Sequence, residues 1–467
     1  MKTYLKGLSL IFLLLFVSCD DILNTSPVSE LTPEISFENG EDAEAGIFGV
    51  YNRLLNALGG GNRFFVYGEI RGDGVTFDGT ALETIDESKL QPTMSQADWG
   101  PFYAVINGAN QIIDVVPGIT EGITEVKRSQ IIAEAHFLRA LSYFWLVRIW
   151  GDVPLPTKAY TSVAQELQLS RSPISAVFDV IEEDIDIAIR DLPESYSTNT
   201  ETRGRATVGA AHALNTHVSL WIAQRENGGE EYFNRVIESA NYIINSPEYE
   251  LVDSFAEIFS EEDTPEYIFA MIYDNSYQQT NSIASYFFVE PYSSSLRAGV
   301  QFDQIVHDHV AAYPEDERTD VYYREKRPED LVQHPFLVKF PGKTFDSEGY
   351  SNSDSNIPLF RYSDILLLKA EALNETGNTA GAVSLVNEIR ERAGLAAISA
   401  ASKAEATDII LHERLIELVG EGHYFFDLVR NGKAIELSEI LSEEQILWPI
   451  HVEELTQNPN LDQNSYY

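Results

Sequence analysis

The stretch AEAHFLRALSYFWLVRIWGDVPL, residues 133–155, decides the fold class of this chain. Phe137, Leu141 and Phe144 fall at the i, i+4 and i+7 positions of one helical face. Gly151 and Pro154 follow them and are the residue types that end helices. The stretch therefore predicts a helix that stops near Gly151.

The same spacing recurs in the residues that follow. Ser172-Pro173 opens a second helix, because proline is tolerated in a first helical turn, and Pro193 ends it. A third helix passes through Trp221, and the turn NGGE at 227–230 leads to a fourth. The middle of the chain is thus predicted to be a run of helices.

The clearest helical pair lies further along, where Gly377-Asn378 separates two apolar stripes and Gly394 ends the second. Two helices joined by so short a turn lie antiparallel, and Ala370 and Ala382 on their facing sides allow close approach. Such pairs resemble tetratricopeptide hairpins, although their spacing is irregular. We therefore predict a mainly α protein, a scaffold of tetratricopeptide-like helical hairpins with long irregular loops and few short strands.

The N-terminus has the layout of a secretory signal, with Lys2 and Lys6, an apolar run at 8–17, and Ser18 before Cys19. The run is about half the length that crosses a bilayer. Cys19, the one cysteine of the chain, stands where bacterial lipoproteins are cleaved and lipidated. We expect acyl chains there to anchor the protein to a membrane. The alternative is an ordinary signal with an incidental cysteine.

Composition limits the partners. The 467 residues include 73 Asp and Glu against 32 Lys and Arg, a net charge of −41. Such a surface repels phosphate backbones and anionic lipid, so we expect no nucleic-acid partner and no membrane contact beyond the lipidated cysteine. A hydrophobic content of 44% predicts a globular body with a substantial core.

Two regions lack helical spacing, and long irregular segments in compact domains are commonly functional. Residues 59–99 contain GGGN, RGDG and FDGT, and residues 273–358 are rich in aromatics. Aromatic faces stack on sugar rings, while nearby polar side chains bind the hydroxyls. The candidate ligand-binding residues are Asp73, Phe77, Trp99, Tyr277, Tyr286, Tyr292, Arg297 and Tyr350. Asp73 is the preferred polar contact, and core packing is the alternative for each aromatic, most clearly for Trp99.

Three acidic residues raise the question of catalysis. Glu413, Glu417 and Glu421 recur at i, i+4 and i+8 and so line one helical face. Glycoside cleavage requires two carboxylates at a defined separation. Arg414 and Arg430 are near in sequence, which favours structural ion pairs over a catalytic pair.

Metal sites have weak support in the sequence. His307 and His309 are two residues apart, and His212 and His217 are not one helical turn apart, so neither pair has metal-ligand spacing. We predict structural or surface roles for these histidines and no cofactor. The many carboxylates leave room for a structural calcium ion, although no EF-hand loop is present.

Six segments, in order along the chain, together resemble the SusD/RagB family of lipid-anchored nutrient-binding proteins. They are WGPFYAVINGANQIID (99–114), AEAHFLRALSYFWLVRIWGDVPL (133–155), PEDERTD (314–320), RYSDILLLKAEALNETG (361–377), HERLIELVGEGHYFFDLVRNGKA (412–434) and LWPIHVEELTQNPNLDQNSYY (447–467). The resemblance spans nearly the whole chain. Its departures are small: Tyr424 stands where a basic residue is common, and Gly420 where a larger one is usual.

This resemblance implies a SusD-like fold with a glycan-binding face of loops. It also implies an outer-membrane location facing the cell exterior and action as a lid over a TonB-dependent channel. The expected organisation is a signal peptide at 1–18, a lipidated tether at 19–33, an N-terminal SusD-like part at 34–260 and a C-terminal RagB/SusD part at 261–467, folded as one compact unit.

Three functions follow from these expectations. The first is a non-catalytic lipoprotein that binds oligosaccharides and delivers them to a SusC-like TonB-dependent transporter. The second is an oligopeptide-binding lipoprotein, as in the RagB branch of the family. The few basic residues in the loops, Arg297 and Lys343, favour sugar over peptide carboxylates. The third is a cell-surface glycoside hydrolase.

Overall fold

A computed structural model describes residues 37–72, 74–77, 82–160, 165, 168–261, 263–281, 283, 286, 300–322, 339–347, 351–438 and 440–467. The predicted signal peptide, Cys19 and the tether lie outside these residues. The architecture is mainly helical with few short strands, as predicted.

The helices of the described residues are α1 (Gly40–Leu54), α2 (Arg63–Gly68), α3 (Glu83–Asp86), α4 (Gly100–Val115), α5 (Glu125–Trp150), α6 (Ile174–Asp191), α7 (Asn199–Gly204), α8 (Val208–Arg225), α9 (Gly229–Ile244), α10 (Glu257–Ser260), α11 (Gln304–Ala312), α12 (Thr319–Tyr322), α13 (Tyr362–Glu375), α14 (Thr379–Arg392), α15 (Lys403–Leu418), α16 (Tyr424–Arg430), α17 (Ala434–Leu437) and α18 (Val452–Gln457). The strands there are β1 (Val75–Phe77), β2 (Tyr267–Met271), β3 (Val300–Phe302) and β4 (Ile357–Arg361).

Helix α5 is the central helix of the N-terminal part. Thr124 caps its start by accepting a hydrogen bond from Lys127 N, and Gly151 ends it with a φ of 75°. Every residue from 133 to 150 is buried, and α5 packs against α1, α4 and α6. The predicted helix end at Gly151 is confirmed. None of the helices in the described ranges combines the length and the apolar character that crossing a membrane requires.

The predicted hairpins are also confirmed. Helices α8 and α9 meet at a turn in which Asn227 and Gly229 have positive φ angles, and α13 and α14 meet at Gly377, which has a φ of 89°. Ala370 and Ala382 are fully buried between α13 and α14. Helix α9 packs on α13, so the two hairpins form one continuous array.

The strands form two antiparallel pairs, β1 with β3 and β2 with β4. Both regions predicted to be irregular contain regular elements: α2, α3 and β1 in the first, and α11, α12 and β3 in the second. This corrects the prediction. Helix α2 escapes notice in the sequence because all five residues from Phe64 to Gly68 are buried, so no alternation of apolar and polar residues marks it.

Candidate ligand-binding site

The candidate site lies at one end of the β2–β4 pair. Met271 pairs with Ile357 at this end, so the segment that follows β2 and the segment that precedes β4 leave the sheet together. A third segment joins them, because Gly59 lies directly against the hydroxyl of Tyr273. We call the described residues of 55–63, 272–281 and 340–356 the loop face.

Hydrogen bonds fix the 272–281 and 340–356 segments of the loop face to each other. Tyr273 N donates to Asn356 Oδ1 at 3.0 Å, and Lys343 Nζ donates to the same oxygen at 3.0 Å. Lys343 Nζ also donates to the carbonyl oxygen of Tyr273. Asn281 N donates to Ser353 O at 2.7 Å. The loop face is therefore a cross-linked platform rather than separate loops.

The backbone of the loop face adopts costly conformations. Five non-glycine residues of the described chain have positive φ angles, and three of them, Asn62, Gln278 and Ser353, lie here. Residues Leu55–Gly59 also form a π-helical turn, a feature that recurs at functional sites. A strained backbone conformation persists only where the surrounding structure enforces it, and such residues are frequent at binding sites. Gln278 and Ser353 were not predicted, because no sequence signal marks a left-handed residue of these types.

Two aromatic side chains project from the platform. Tyr277 is 78% exposed, more than any other aromatic side chain in the described ranges, and Phe345 is 48% exposed. Tyr277 ends a short 3-10 turn that begins with Asp274, whose side chain accepts a hydrogen bond from Ser276 N. Hydrogen bonding to Ser276 lowers the pKa of Asp274, so this carboxylate is charged at neutral pH. An exposed ring beside Asn275, Gln278 and a carboxylate suits the apolar face and the hydroxyls of a sugar.

Two of the predicted site residues belong to the core instead. Trp99 is 2% exposed, with ring centroids of Tyr103 and Trp150 at 5.8 and 5.9 Å. Phe77 is 4% exposed on β1. Neither ring offers a free face to a ligand, so their predicted ligand contacts are corrected to core packing. Burial of Trp99 and Phe77 in the core is favourable because it removes their large apolar rings from water.

Tyr286 borders the loop face. Its half-buried ring lies 6.1 Å from that of Phe65, and burial raises the pKa of its hydroxyl while a hydrogen bond with Asn62 opposes the rise. The other predicted site residues, Asp73, Tyr292, Arg297 and Tyr350, lie outside the described residues. The structure thus places Tyr277 and Tyr286 at or beside the loop face.

The carboxylates of the C-terminal segment lie in buried ion pairs. Arg361 Nη1 lies 3.0 Å from Glu417 Oε1, and Arg361 Nε lies 2.7 Å from Glu421 Oε2. Arg318 Nη1 lies 2.7 Å from Glu413 Oε1. All five residues are at most 2% exposed. The prediction of structural ion pairs is confirmed, with Arg318 and Arg361 as the partners. Arg414 and Arg430, the cations near in sequence, pair with Asp427 instead.

The histidines have comparable structural partners. His217 Nε2 lies 2.7 Å from Asp364 Oδ2, and His423 lies near enough that the three side chains resemble a metal-ligand set. Arg414 Nη1, however, lies 2.9 Å from the other oxygen of Asp364, so a cation there would face a guanidinium. His309 Nε2 lies 2.9 Å from Asp316 Oδ2. A calcium ion elsewhere stays a prediction.

Asp316 shows how strongly this network holds its charges. Burial opposes ionisation of its carboxyl, yet hydrogen bonds with His309 and Arg318 lower its pKa to about 2. Burial likewise lowers the pKa of His423 to about 4, so its imidazole is neutral at pH 7. The surroundings of each group thus fix its charge state: His309 and Arg318 for Asp316, and a buried site beside Asp364 and His217 for His423.

Comparison with known proteins agrees with this architecture. Residues 307–439 match the model of the SusD family, and residues 76–220 match a family described as "Starch-binding associating with outer membrane". A SusD-like protein of Formosa agariphila is 29% identical over 514 residues, spanning 99% of this chain and 99% of that protein.

Solved structures show the same fold. A SusD homologue from Bacteroides thetaiotaomicron is 27% identical, with a TM-score of 0.80 over 92% of this chain and 99% of the other. A laminarin-binding SusD-like protein is 24% identical, with a TM-score of 0.77 over 92% of this chain and 100% of the other. The helical array is the SusD-like fold of these structures. The two family-model matches and the SusD-like relatives support a SusD/RagB family protein.

Proposed function

We propose that this protein is a non-catalytic glycan-binding lipoprotein of the cell surface. In this proposal the loop face captures an oligosaccharide and presents it to a SusC-like TonB-dependent transporter in the outer membrane. The observation that carries the proposal is the exposed ring of Tyr277 on a hydrogen-bonded platform. The description of the family matched at 76–220, which names starch binding and the outer membrane, supports the same class of ligand and location.

Capture on the loop face would combine two interactions. The ring of Tyr277 stacks on the C–H face of a pyranose, which is apolar, while Asn275, Gln278 and the Asp274 carboxylate accept or donate hydrogen bonds to the hydroxyls. Because the platform is already ordered, binding orders few additional groups. Modest affinity suffices for capture, because a ligand held too tightly would not pass on to the transporter.

Attachment to the membrane would come from Cys19. Diacyl and N-acyl chains on one cysteine supply enough buried methylenes for stable anchoring, whereas a single chain is reversible. The net charge of −41 works against any further contact with anionic lipid. In the proposal the folded body is therefore tethered beside the transporter and free to move over it.

The oligopeptide alternative has less support from the site. Lys343 is one of the two basic residues that would attract peptide carboxylates, but its ammonium is bonded to Asn356 Oδ1 and to the carbonyl of Tyr273. The ammonium of Lys343 therefore stabilises the loop face through these hydrogen bonds. The hydrolase alternative would need a free carboxylate pair, and Glu413, Glu417 and Glu421 are each paired with a buried cation.

Binding and product analysis test the proposal. The mature protein without its lipid is titrated calorimetrically with maltoheptaose, laminarihexaose and a tripeptide, and each mixture is then analysed by chromatography for shortened products. The proposal expects saturable heats with at least one saccharide and intact saccharide afterwards. Shortened saccharide would support the hydrolase, and saturable heats with the tripeptide alone would support the peptide binder; either result overturns the proposal.

A further inference from the structure

A cavity lies away from the loop face, at the C-terminal end of α5. Its volume is about 520 Å³, and its walls come from α5, α8 and the C-terminal segment around Asn464. None of its lining residues belongs to the loop face. The volume lies within the range typical of small-molecule sites.

The floor of this cavity is Arg148, which is only 7% exposed. Its guanidinium carbon lies 4.1 Å from the ring centroid of Phe144, 4.5 Å from that of Trp145 and 4.1 Å from that of Phe426. Its Nε donates to Phe144 O at 3.3 Å. The side chain is thus held rigidly among three aromatic rings.

Arg148, like Arg71 and Arg203, differs from most buried arginines of the described residues in having no carboxylate within ion-pair distance. Arg318, Arg361 and Arg414 each lie within 3.0 Å of at least one acidic oxygen. Within the described ranges, no acidic oxygen lies within 4.0 Å of Arg148, and its two Nη atoms make no hydrogen bond. Burial, reinforced by the charge of Arg430, lowers its pKa to about 9, so it remains a cation at neutral pH. Atoms of Arg148 are not among the fully buried donors without a partner, so its Nη atoms are open to the cavity, where a counter-charge would stabilise the cation.

Trp221 gives a second, independent indication. It lines the same cavity, is 5% exposed, and its indole Nε1 is buried without an acceptor in the described part of the chain. Buried indole N–H groups usually find a partner. Two residues that line the cavity, Arg148 and Trp221, therefore have donors without acceptors, and one of these donors is charged. An acceptor that carries negative charge would satisfy them.

The mouth of the cavity limits the size of that acceptor. Asp152, Glu443 and Glu444 are exposed there, and Glu443 pairs with Arg225 at 2.8 Å. These carboxylates repel an extended polyanion but tolerate a ligand with a single negative group and a polar or cationic opposite end. Arg171, Arg225 and Glu226 also line the cavity, so charges of both signs surround the cationic floor, and this mixture favours a small molecule with one negative group.

We propose that this cavity binds the carboxylate of a small molecule, with the Nη atoms of Arg148 donating to both carboxylate oxygens. A guanidinium and a carboxylate form paired, charge-assisted hydrogen bonds of this kind. The carboxylate belongs either to a sugar acid or to an α-amino acid, and both classes present polar or cationic groups toward the mouth. The site is independent of the glycan-binding role of the loop face.

The test uses glucuronate and alanine as probes and glucose as the neutral match, with binding followed by calorimetry and tryptophan fluorescence. Arg148→Met removes the cation. Ser465→Trp fills the mouth from an exposed position and keeps the test valid should Arg148→Met fail to fold. Arg190→Met is the control, because Arg190 is exposed, lies outside the cavity and pairs with Asp191 at 2.6 Å.

The proposal expects at least one carboxylate probe to bind the wild-type protein and glucose not to bind. Both cavity variants should weaken that binding about tenfold or more, since they remove or obstruct a charge-assisted bond, and the control should not. The probe that binds more tightly identifies the class of ligand. Absence of binding by both carboxylates at tens of millimolar, or binding that survives both cavity variants, would overturn it.

Discussion

Arg361, the last residue of β4, holds Glu421 through two parallel hydrogen bonds, Nε to Oε2 at 2.7 Å and Nη2 to Oε1 at 2.9 Å. The same guanidinium reaches Glu417 Oε1 at 3.0 Å. These bonds join the sheet that carries the loop face to the C-terminal segment that resembles the family signature. These residues of the family-like segments therefore have a structural role: they hold the β2–β4 pair, and with it the loop face, in place.

Replacement of Arg361 should be severely destabilising. Arg361→Met leaves Glu417 and Glu421 buried without this cation, and breaking a buried pair in this way costs about 3–5 kcal/mol in the free energy of unfolding. Arg235→Met is the matched control, because Arg235 is 42% exposed and pairs with Glu182 at the surface. The control should cost about 1 kcal/mol or less. Equal losses in chemical denaturation would contradict the structural role of Arg361.

Gly422 should be intolerant of any side chain. Its φ is 81°, and a Cβ there would lie 2.5 Å from the backbone oxygen of Phe64. Gly432 has a φ of 66° but open space around its Cα. Gly422→Ala therefore combines backbone strain with a backbone clash, whereas Gly432→Ala carries strain alone, of about 1 kcal/mol. Thermal melts should show a much larger fall in Tm for Gly422→Ala, and a similar fall for both would show that the close approach is relieved cheaply.

Glu69 should make stability depend on pH. Burial raises the pKa of this carboxyl to about 7, although N–H groups of Gly420 and Gly422 oppose the rise. The pKa of Glu69 in the folded chain exceeds the ordinary value of 4.5. Its stabilising contribution to the free energy of unfolding is therefore fully present below about pH 4.5 and is lost as the pH rises through about 7.

Glu69→Gln resembles the protonated acid and removes this dependence. Between about pH 5 and about pH 8, the wild type should lose about 2.5 kcal/mol of unfolding free energy relative to the variant. Denaturation of both proteins across this range measures the difference. Parallel stability curves would mean that the carboxyl titrates alike in the folded and unfolded chains.

Cys19 should decide membrane attachment. Cys19→Ala removes the site of acylation without touching the folded body, so the variant should leave the membrane fraction and retain the Tm of the mature protein. Fractionation is followed by a high-salt wash in cells that lack the transporter, which excludes retention by a protein partner. Cys19→Ala protein that stays with the membrane under these conditions would refute the lipid anchor.

The sequence predicted the helices well because their apolar spacing is a local property. Gly151 and Gly377 end or separate helices where glycine adopts φ angles of 75° and 89°. Helix α2 was missed because burial on all sides removes that spacing. Long helices with one apolar face can therefore be predicted from the sequence, whereas short helices that are buried on all sides cannot.

The site was predicted less fully, because exposure of an aromatic ring depends on tertiary packing. Trp99 and Tyr277 both lie next to turn residues in the sequence. In the structure, however, Trp99 is 2% exposed and Tyr277 is 78% exposed. The left-handed Gln278 and Ser353 depend on hydrogen bonds between distant segments. Sequence identified the aromatic-rich region, but only the packing distinguishes core rings from exposed ones.

The most direct test of the account is calorimetric titration of Tyr277→Ala with the saccharide that binds the wild-type protein best among maltoheptaose and laminarihexaose. Tyr466→Ala serves as the control, because Tyr466 is also an exposed aromatic, at 44%, and lies outside the loop face. Loss of the stacking ring should weaken binding about tenfold, a free-energy change of about 1.4 kcal/mol, and the control should bind as the wild type does. Unchanged affinity in Tyr277→Ala, with the protein folded, would contradict the claim that the loop face captures the glycan.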